Sequence, residues 1–264
     1  MLVSCSSLKV SYGQREVLKG FDLALEPGEV CGLIGPNGSG KSTALQTIAG
    51  LIRPRSGTVT VNGTDIARLS RRDIARELAF LPQQPSAPDE MTVAQLVRQG
   101  RFAHVGLFGR YRECDEEAIS WALDRTGLKP LSERTLKELS GGERQRVWIA
   151  AALAQQAKIL LMDEPTTFLD IGYQVEVIEL VHALARERNV SVIMAIHDLN
   201  QAMAVSDRMV LLRQGEVLFN GRPAALAQTG LIPEAFRVKG RFVPIENGKP
   251  PHFDVQWSKL CLPS

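Results

Sequence analysis

Long hydrophobic runs are missing from this chain. The longest apolar stretches, near Val147–Ala154 and Val190–Ile196, fall well short of the ~18 residues a helix needs to cross a bilayer. The chain is therefore expected to be soluble and to reach a membrane only through a partner. An excess of one charge is missing too. Lys and Arg total 31 against 29 Asp and Glu, a net charge of +2 with both signs mixed throughout. That leaves no electrostatic case for nucleic acid as a partner. Cysteine is scarce: Cys5, Cys31, Cys114 and Cys261 lie far apart with no C-x-x-C pair. Neither a zinc site nor a disulfide framework is suggested, and a reducing compartment is the default. Leu2-Val3-Ser4-Cys5 lacks the apolar stretch that precedes a lipoprotein cleavage site. Cys261-Leu-Pro-Ser264 has proline in an aliphatic slot of a prenylation box. Sustained heptads, internal repeats and low-complexity tracts are also lacking, which argues against long coiled coils. At 264 residues the chain is long enough to bury a substantial core.

What is present is a loop suited to phosphate. Residues 35 to 43 read Gly-Pro-Asn-Gly-Ser-Gly-Lys-Ser-Thr, and Gly35, Gly40, Lys41 and Ser42 satisfy G-x-x-x-x-G-K-[ST]. Glycines let successive backbone N–H groups turn inward as a concave anion site, and the helix that follows adds its positive N-terminal end. The whole loop (Gly35, Pro36, Asn37, Gly38, Ser39, Gly40, Lys41, Ser42, Thr43) is a nucleotide-binding candidate. Lys41 is expected to reach the β and γ phosphates, and Ser42 to ligate Mg²⁺. The apolar run Glu29-Val-Cys-Gly-Leu-Ile34 before the loop and Ala44–Ala49 after it suit strand and helix. A dinucleotide fold is poorly supported, because residues 35–40 read G-x-x-G-x-G and not G-x-G-x-x-G.

Leu8–Val10 and Phe21–Leu25 alternate like half-buried strands. Thr58–Val61 ends in Asn62-Gly63, a hairpin signal, and Leu211–Phe219 reads as a second hairpin. Ile159–Met162 and Val190–Ile196 are almost wholly apolar and suit central parallel strands covered on both faces. Val177, Leu180, Val181 and Leu184 follow helical spacing, so a crossover helix should join those two strands. Residues 86 to 150 are charge-rich with a helical period, entered through Pro82, Pro85 and Pro88. They read as a helical subdomain inserted into an α/β core. Past about residue 220 the signal weakens into a Pro/Gly-rich tail.

Asp163 and Glu164 follow the apolar strand Ile159–Met162, at the strand end where open α/β sheets bind ligands. Asp163 is a candidate to hold a metal ion, and Glu164 to take a proton from an attacking water. Leu139-Ser140-Gly141-Gly142-Glu143-Arg144-Gln145 lies between the phosphate loop and these acids. In that ordered set the chain resembles the ATP-binding-cassette (ABC) ATPases, and nearly all of it takes part. The resemblance implies a P-loop NTPase (RecA-like) α/β core with an antiparallel β subdomain and an inserted helical subdomain carrying the signature. The cassette would occupy residues 3–239 and a short extension residues 240–264. The resemblance also implies that Ser140, Gly141 and Gly142 face ATP held by a second subunit. Tyr12 would stack on adenine. Gln83 would touch Mg²⁺ and sense the transport subunit, Asp170 would lie in the loop that signals between monomers, and His197 would steady the γ-phosphate. Catalysis would rest on Glu164, His197, Lys41 and Gln83, with Ser42, Gln83 and Asp163 at the metal. One departure stands out: the family signature commonly has Gln where this chain has Glu143.

Thr166–Asp170 with Gln174, Gly100–Phe102, His104, Gly106–Gly109 with Asp115, and Arg144–Trp148 are similar to the importer ATPases for iron–siderophores, haem and vitamin B12, the ferric-siderophore type foremost. The implied role is a translocase ATPase on the cytoplasmic face of the inner membrane, working as a head-to-tail dimer with ATP and Mg²⁺. Polytopic permeases and an extracytoplasmic substrate-binding protein would be its partners. Haem or vitamin B12 import, or a soluble ABC ATPase such as an iron–sulfur assembly factor, are the alternatives. Sugar importers carry a long regulatory domain after the cassette, for which the residues beyond 239 are expected to be too few.

Overall fold

Strands whose residues are apolar at every position belong in the middle of a parallel sheet, where both faces are covered. The computed structural model, which describes residues 1–106, 108–167, 169–245 and 250–256, bears this out. Strands β1 (Val3–Tyr12) and β2 (Arg15–Leu25) form an antiparallel hairpin closed between Tyr12 and Arg15. β3 (Val30–Ile34) is buried at every residue and runs into the phosphate loop and helix α1 (Lys41–Ile48). β4 (Ser56–Val61) turns back at Asn62-Gly63, with φ of 49° and 75°, into β5 (Thr64–Asp65), the left-handed pair that a two-residue hairpin favours. Helix α2 (Arg71–Glu77), capped by Ser70, leads to β6 (Leu78–Leu81).

The helical insertion follows: α3 (Val93–Gln99), α4 (Phe102–Val105), α5 (Glu113–Arg125) and α6 (Gly141–Ala154). Its last helix continues past residue 150, the end read from sequence. The chain then re-enters the sheet at β7 (Ile159–Asp163), crosses through α7 (Ile171–Arg188) to β8 (Ser191–Ala195), and continues as α8 (Leu199–Val205) and the hairpin β9 (Arg208–Arg213) and β10 (Glu216–Gly221). Val177, Val181 and Leu184 of α7 are buried, and Leu180 is partly buried against the same core.

Among the described residues the main sheet has the order β10-β9-β3-β8-β7-β6, parallel except for the edge strand β10. A second, antiparallel sheet has the order β2-β1-β4-β5. Alternation along β3 divides the interior. Val30 and Ile34 join the core shared with the helical insertion, while Cys31 and Leu33 join the core shared with α1 and the antiparallel sheet. The order places β6, β7, β8 and β3 side by side, so the chain leaves four neighbouring strands at one edge of the sheet.

The described part of the tail carries regular elements that its sequence does not signal. Helices α9 (Pro223–Leu226) and α10 (Leu231–Phe236) precede a small hairpin of β11 (Gly240–Val243) and β12 (His252–Val255). Phe242 and Phe253 meet edge to face at 5.0 Å, and the Phe253 backbone N–H donates to Asn200 Oδ1 of α8 at 2.7 Å. Four-residue strands are too short for their period to register in sequence. Leu107, Phe168, residues 246–249 and the end of the chain, including Cys261, lie outside the described residues. No described helix is long and apolar enough to cross a membrane.

Candidate active site

The phosphate loop needs glycine at two positions for steric reasons. Gly35 has φ of 147°, and a Cβ there would sit 2.1 Å from the Leu212 carbonyl oxygen. Gly40 has φ of 112°, and a Cβ there would press on Leu18 at 2.8 Å. The loop curls around Lys41, which is 5% exposed. Its Nζ donates to the carbonyls of Gly35 at 2.8 Å and Pro36 at 3.4 Å. Burial pushes the Lys41 pKa below the ordinary lysine value, against the opposing pull of Glu164 and Asp163. Such a cation lies against neutral carbonyls and stands ready for an anion. The Ser39 hydroxyl, buried in the same cleft, has no hydrogen-bond partner among the described residues. A buried hydroxyl left unpaired is costly, and a phosphate oxygen would satisfy it.

Ser42 Oγ donates to Asp163 Oδ1 at 3.0 Å. Asp163 is buried, and that burial pushes its pKa above the usual carboxylate value, opposed by the Ser42 hydrogen bond. No set of three or more His, Cys, Asp and Glu side chains among the described residues is grouped to hold a metal by itself. Ser42 and Asp163 instead form the kind of partial site that suits Mg²⁺, which typically takes one or two carboxylates plus substrate phosphates.

Glu164 has φ of 55°, a left-handed conformation unusual for a residue with a side chain. Such a backbone costs on the order of 1–3 kcal/mol and tends to occur at functional sites. The kink turns the carboxylate between two partners. Gln83 Nε2 donates to Glu164 Oε2, and His197 Nε2 lies 2.6 Å from Glu164 Oε1. Gln83 follows β6, Glu164 follows β7, His197 follows β8 and Gly35 follows β3. The sheet order therefore assembles these residues from distant parts of the sequence. Gln83, Glu164 and His197 share a cleft of about 470 Å³ with Tyr12, Arg15, Val17 and the loop residues from Asn37 to Thr43, whereas Gly35, Pro36 and Asp163 do not line it. Tyr12 stands at the mouth, 52% exposed. Arg15 and Val17 escaped the sequence reading. Their signal was the tight β1–β2 turn, which sets Arg15 directly across from Tyr12.

Ser140, Gly141, Gly142 and Asp170 do not line this cleft. Ser140 caps α6 in a reciprocal box: Glu143 Oε2 accepts from Ser140 N–H and from Ser140 Oγ, both at 2.8 Å, and Glu143 N–H donates to Ser140 Oγ at 3.3 Å. Glu is a preferred residue at that capping position, so Glu143 in place of Gln leaves the helix start intact. Hydrogen bonds from the Ser140 backbone and hydroxyl hold the Glu143 pKa below the usual glutamate value. Asp170 caps α7 by accepting from Tyr173 N–H at 3.0 Å. The two helix starts pack closely, since a Cβ on Gly142 would lie 2.7 Å from the Tyr173 ring. Gln145 Nε2 donates to the Pro165 carbonyl at 2.9 Å and ties α6 to the turn after Glu164. Gln145 and Tyr173 were not singled out from sequence, because their roles are contacts with residues far away along the chain.

Comparison with known proteins identifies the family. The family model described as ABC transporter matches residues 18–167, more than half of the chain. The chain belongs to the ABC transporter family. This ABC cassette is 41% identical over 241 residues to the iron(3+)-hydroxamate import ATP-binding protein FhuC of Bacillus subtilis (strain 168), covering 91% of the chain and 90% of that relative. It is 38% identical over 232 residues to the ferric enterobactin transport ATP-binding protein FepC of Escherichia coli (strain K12), covering 88% of the chain and 86% of that relative. Among solved structures it is similar to a dimeric ATP-binding cassette in a post-hydrolysis state bound to ADP and Pi. That match has a TM-score of 0.73 and 27% identity, covering 83% of this chain and 98% of the other.

Proposed function

We propose that the chain is the ATP-hydrolysing subunit of an importer for ferric siderophores, peripheral to the cytoplasmic face of the inner membrane. The observation that carries the hydrolytic part is the Glu164 carboxylate held between Gln83 and His197 beside the phosphate loop. Loop N–H groups, the Ser39 hydroxyl and Lys41 bind the phosphates of ATP, and Tyr12 offers its ring to adenine. Ser42, Asp163 and Gln83 would hold Mg²⁺, which would supply charge neutralisation to the phosphates. Glu164 takes the proton of a water as the water oxygen bonds to the γ-phosphorus and the bond to ADP breaks. His197 holds Glu164 in line and faces the transferring group, so positioning and charge stabilisation do most of the work.

The signature residues complete the site from a second copy. Ser140 is exposed at its own helix start, outside the Lys41 cleft, which supports a head-to-tail dimer with two composite sites. Disulfide crosslinking of Ser39→Cys with Gly141→Cys subunits should occur when hydrolysis is blocked and ATP is bound. Its absence under those conditions would count against the arrangement.

Permeases would dock against the helical insertion, where Phe102 is 57% and Phe108 95% exposed. An extracytoplasmic binding protein would deliver cargo to them. The cargo assignment draws on the two relatives whose names specify iron(3+)-hydroxamate and ferric enterobactin. Deleting the gene should stop uptake of labelled ferric siderophore in iron-starved cells while sugars and amino acids still enter. Unchanged siderophore uptake with lost haem or cobalamin uptake would overturn the cargo and leave the motor standing.

A further inference from the structure

Three hydrogen bonds join the loop after Glu164 to the segment carrying His197, and the chemistry described above does not use them. Gln174 Nε2 on α7 donates to the Leu169 carbonyl at 3.0 Å. A carbonyl only accepts, so this contact orients the Gln174 amide and turns its Oε1 toward α8. That oxygen accepts from Gln201 Nε2 at 2.8 Å. The Gln201 backbone N–H in turn donates to Asp198 Oδ1 at 2.9 Å, and Asp198 is the residue after His197. The donor direction is thus set from the Leu169 end outward. It leaves Gln201 Oε1 buried without a partner among the described residues.

The other side of α8 is held as well. Asn200 accepts from the Phe253 N–H at 2.7 Å and donates to the Phe253 carbonyl at 3.3 Å, with Phe253 only 5% exposed. The helix after His197 therefore has two fixed contacts, the tail hairpin on one side and the Gln174–Gln201 bridge on the other. The His197 side chain is 44% exposed and rests on the 2.6 Å contact with Glu164.

We propose that Gln174 and Gln201 form a positioning relay that sets His197 against Glu164 according to where the Leu169–Asp170 loop lies. The proposal rests on the hydrolytic reading of Glu164 and His197. The family resemblance puts Asp170 in the loop that signals between monomers, so the relay carries the approach of the partner subunit to the hydrolytic pair. Both glutamines are positioning residues, since neither lines the cleft.

The test uses purified full-length chains carrying Gln174→Leu, Gln201→Leu, both together, or Gln174→Glu, with steady-state ATPase kinetics and thermal melting for each. A misplacement of ~1 Å can cost roughly 10²-fold in rate. Each single leucine variant is expected to lose about tenfold or more in kcat on that scale, with KM for ATP within about twofold of wild type. The double variant should lose no more than the worse single, the mark of two residues acting through one path. Gln174→Glu keeps an acceptor for Gln201 but cannot donate to Leu169, and should fall with Gln174→Leu. Lowered melting temperature with unchanged kcat, or losses that multiply in the double variant, would overturn the relay and leave a packing role. Should Gln174→Leu fail to fold, Gln201→Leu decides alone by the same split between kcat and KM. Glu164→Gln, assayed in parallel, separates the layers. Normal relay variants beside a dead Glu164→Gln defeat only the relay, whereas turnover in Glu164→Gln defeats the hydrolytic reading beneath it.

Discussion

Glu164→Gln is expected to reduce steady-state ATP turnover by about 10²–10⁴-fold, the usual loss when a general base is removed, while ATP still binds. The substitution tests proton transfer with little disturbance to the site. Gln has the size of Glu, and its carbonyl oxygen can keep accepting from Gln83 Nε2 as Oε2 does now. Its NH₂ would then face His197 Nε2, which accepts if the imidazole carries its proton on Nδ1. The left-handed backbone at Glu164 is unaffected, because Gln and Glu pay the same steric cost there. Lys41, at the start of α1, keeps its hydrogen bonds to the Gly35 and Pro36 carbonyls, which do not involve Glu164. Phosphate release measured alongside equilibrium ATP binding separates the two effects. Turnover within about twofold of wild type, far inside the expected loss, would remove Glu164 from the role of base.

Asp115→Ala should cost about 3–5 kcal/mol of stability, the usual penalty for stranding one member of a buried ion pair. For a chain of this size each kcal/mol moves Tm by about 2–4 °C, so the melting temperature should fall by roughly 6–20 °C. Asp115 is 0% and Arg101 4% exposed. Arg101 donates to Asp115 Oδ1 from Nε at 2.9 Å and approaches it with a second nitrogen at 2.8 Å, while its remaining nitrogen donates to the Ala154 carbonyl at 3.0 Å. Asp115 Oδ2 accepts from Arg112 N–H at 3.0 Å, capping α5. One carboxylate therefore ties α5 to the segment before α4 and, through Arg101, to the end of α6. Replacing both members by leucine should restore much of the loss, because the stranded guanidinium goes as well.

The pH dependence of this pair follows from its ionisation. Burial alone would raise the Asp115 pKa, but the Arg112 N–H and the Arg101 guanidinium outweigh it and hold the pKa below the usual aspartate value. The stabilisation is thus complete above the ordinary aspartate pKa of about 3.9. It fades as pH falls through the lower folded value. Urea unfolding of wild type and Asp115→Ala should converge at strongly acid pH. A constant gap, or a neutral-pH loss under about 1 kcal/mol, would contradict the uncompensated-charge account.

Much of the chemistry was legible along the chain because it is local. A phosphate loop is made of consecutive N–H groups, one lysine and the start of one helix, so Gly35–Thr43 carries its geometry within nine adjacent positions. The same holds for Ser140–Glu143, a capping box closed within one helical turn. The apolar runs Ile159–Met162 and Val190–Ile196 read as buried strands because a strand covered on both faces tolerates no polar alternation.

Strand order, by contrast, is a long-range property that no window of sequence contains. Gln83, Glu164 and His197 meet because β6, β7 and β8 are adjacent, and they face the phosphate loop because β3 is next in line. The resemblance named these residues individually; their convergence on one carboxylate came from the sheet. The positive φ of Glu164, the pairing of Arg15 with Tyr12 and the two-glutamine bridge likewise depend on contacts across the fold. The tail hairpin is the plainest case. Phe253 is apolar in sequence with no period around it, and only its contacts with α8 and Phe242 make it a core residue. By itself, then, the sequence determined which groups this protein carries and the local loops that present them, because those loops are closed by neighbours in the chain. Tertiary structure alone decided which of those groups share a cleft, because that depends on which strands lie side by side.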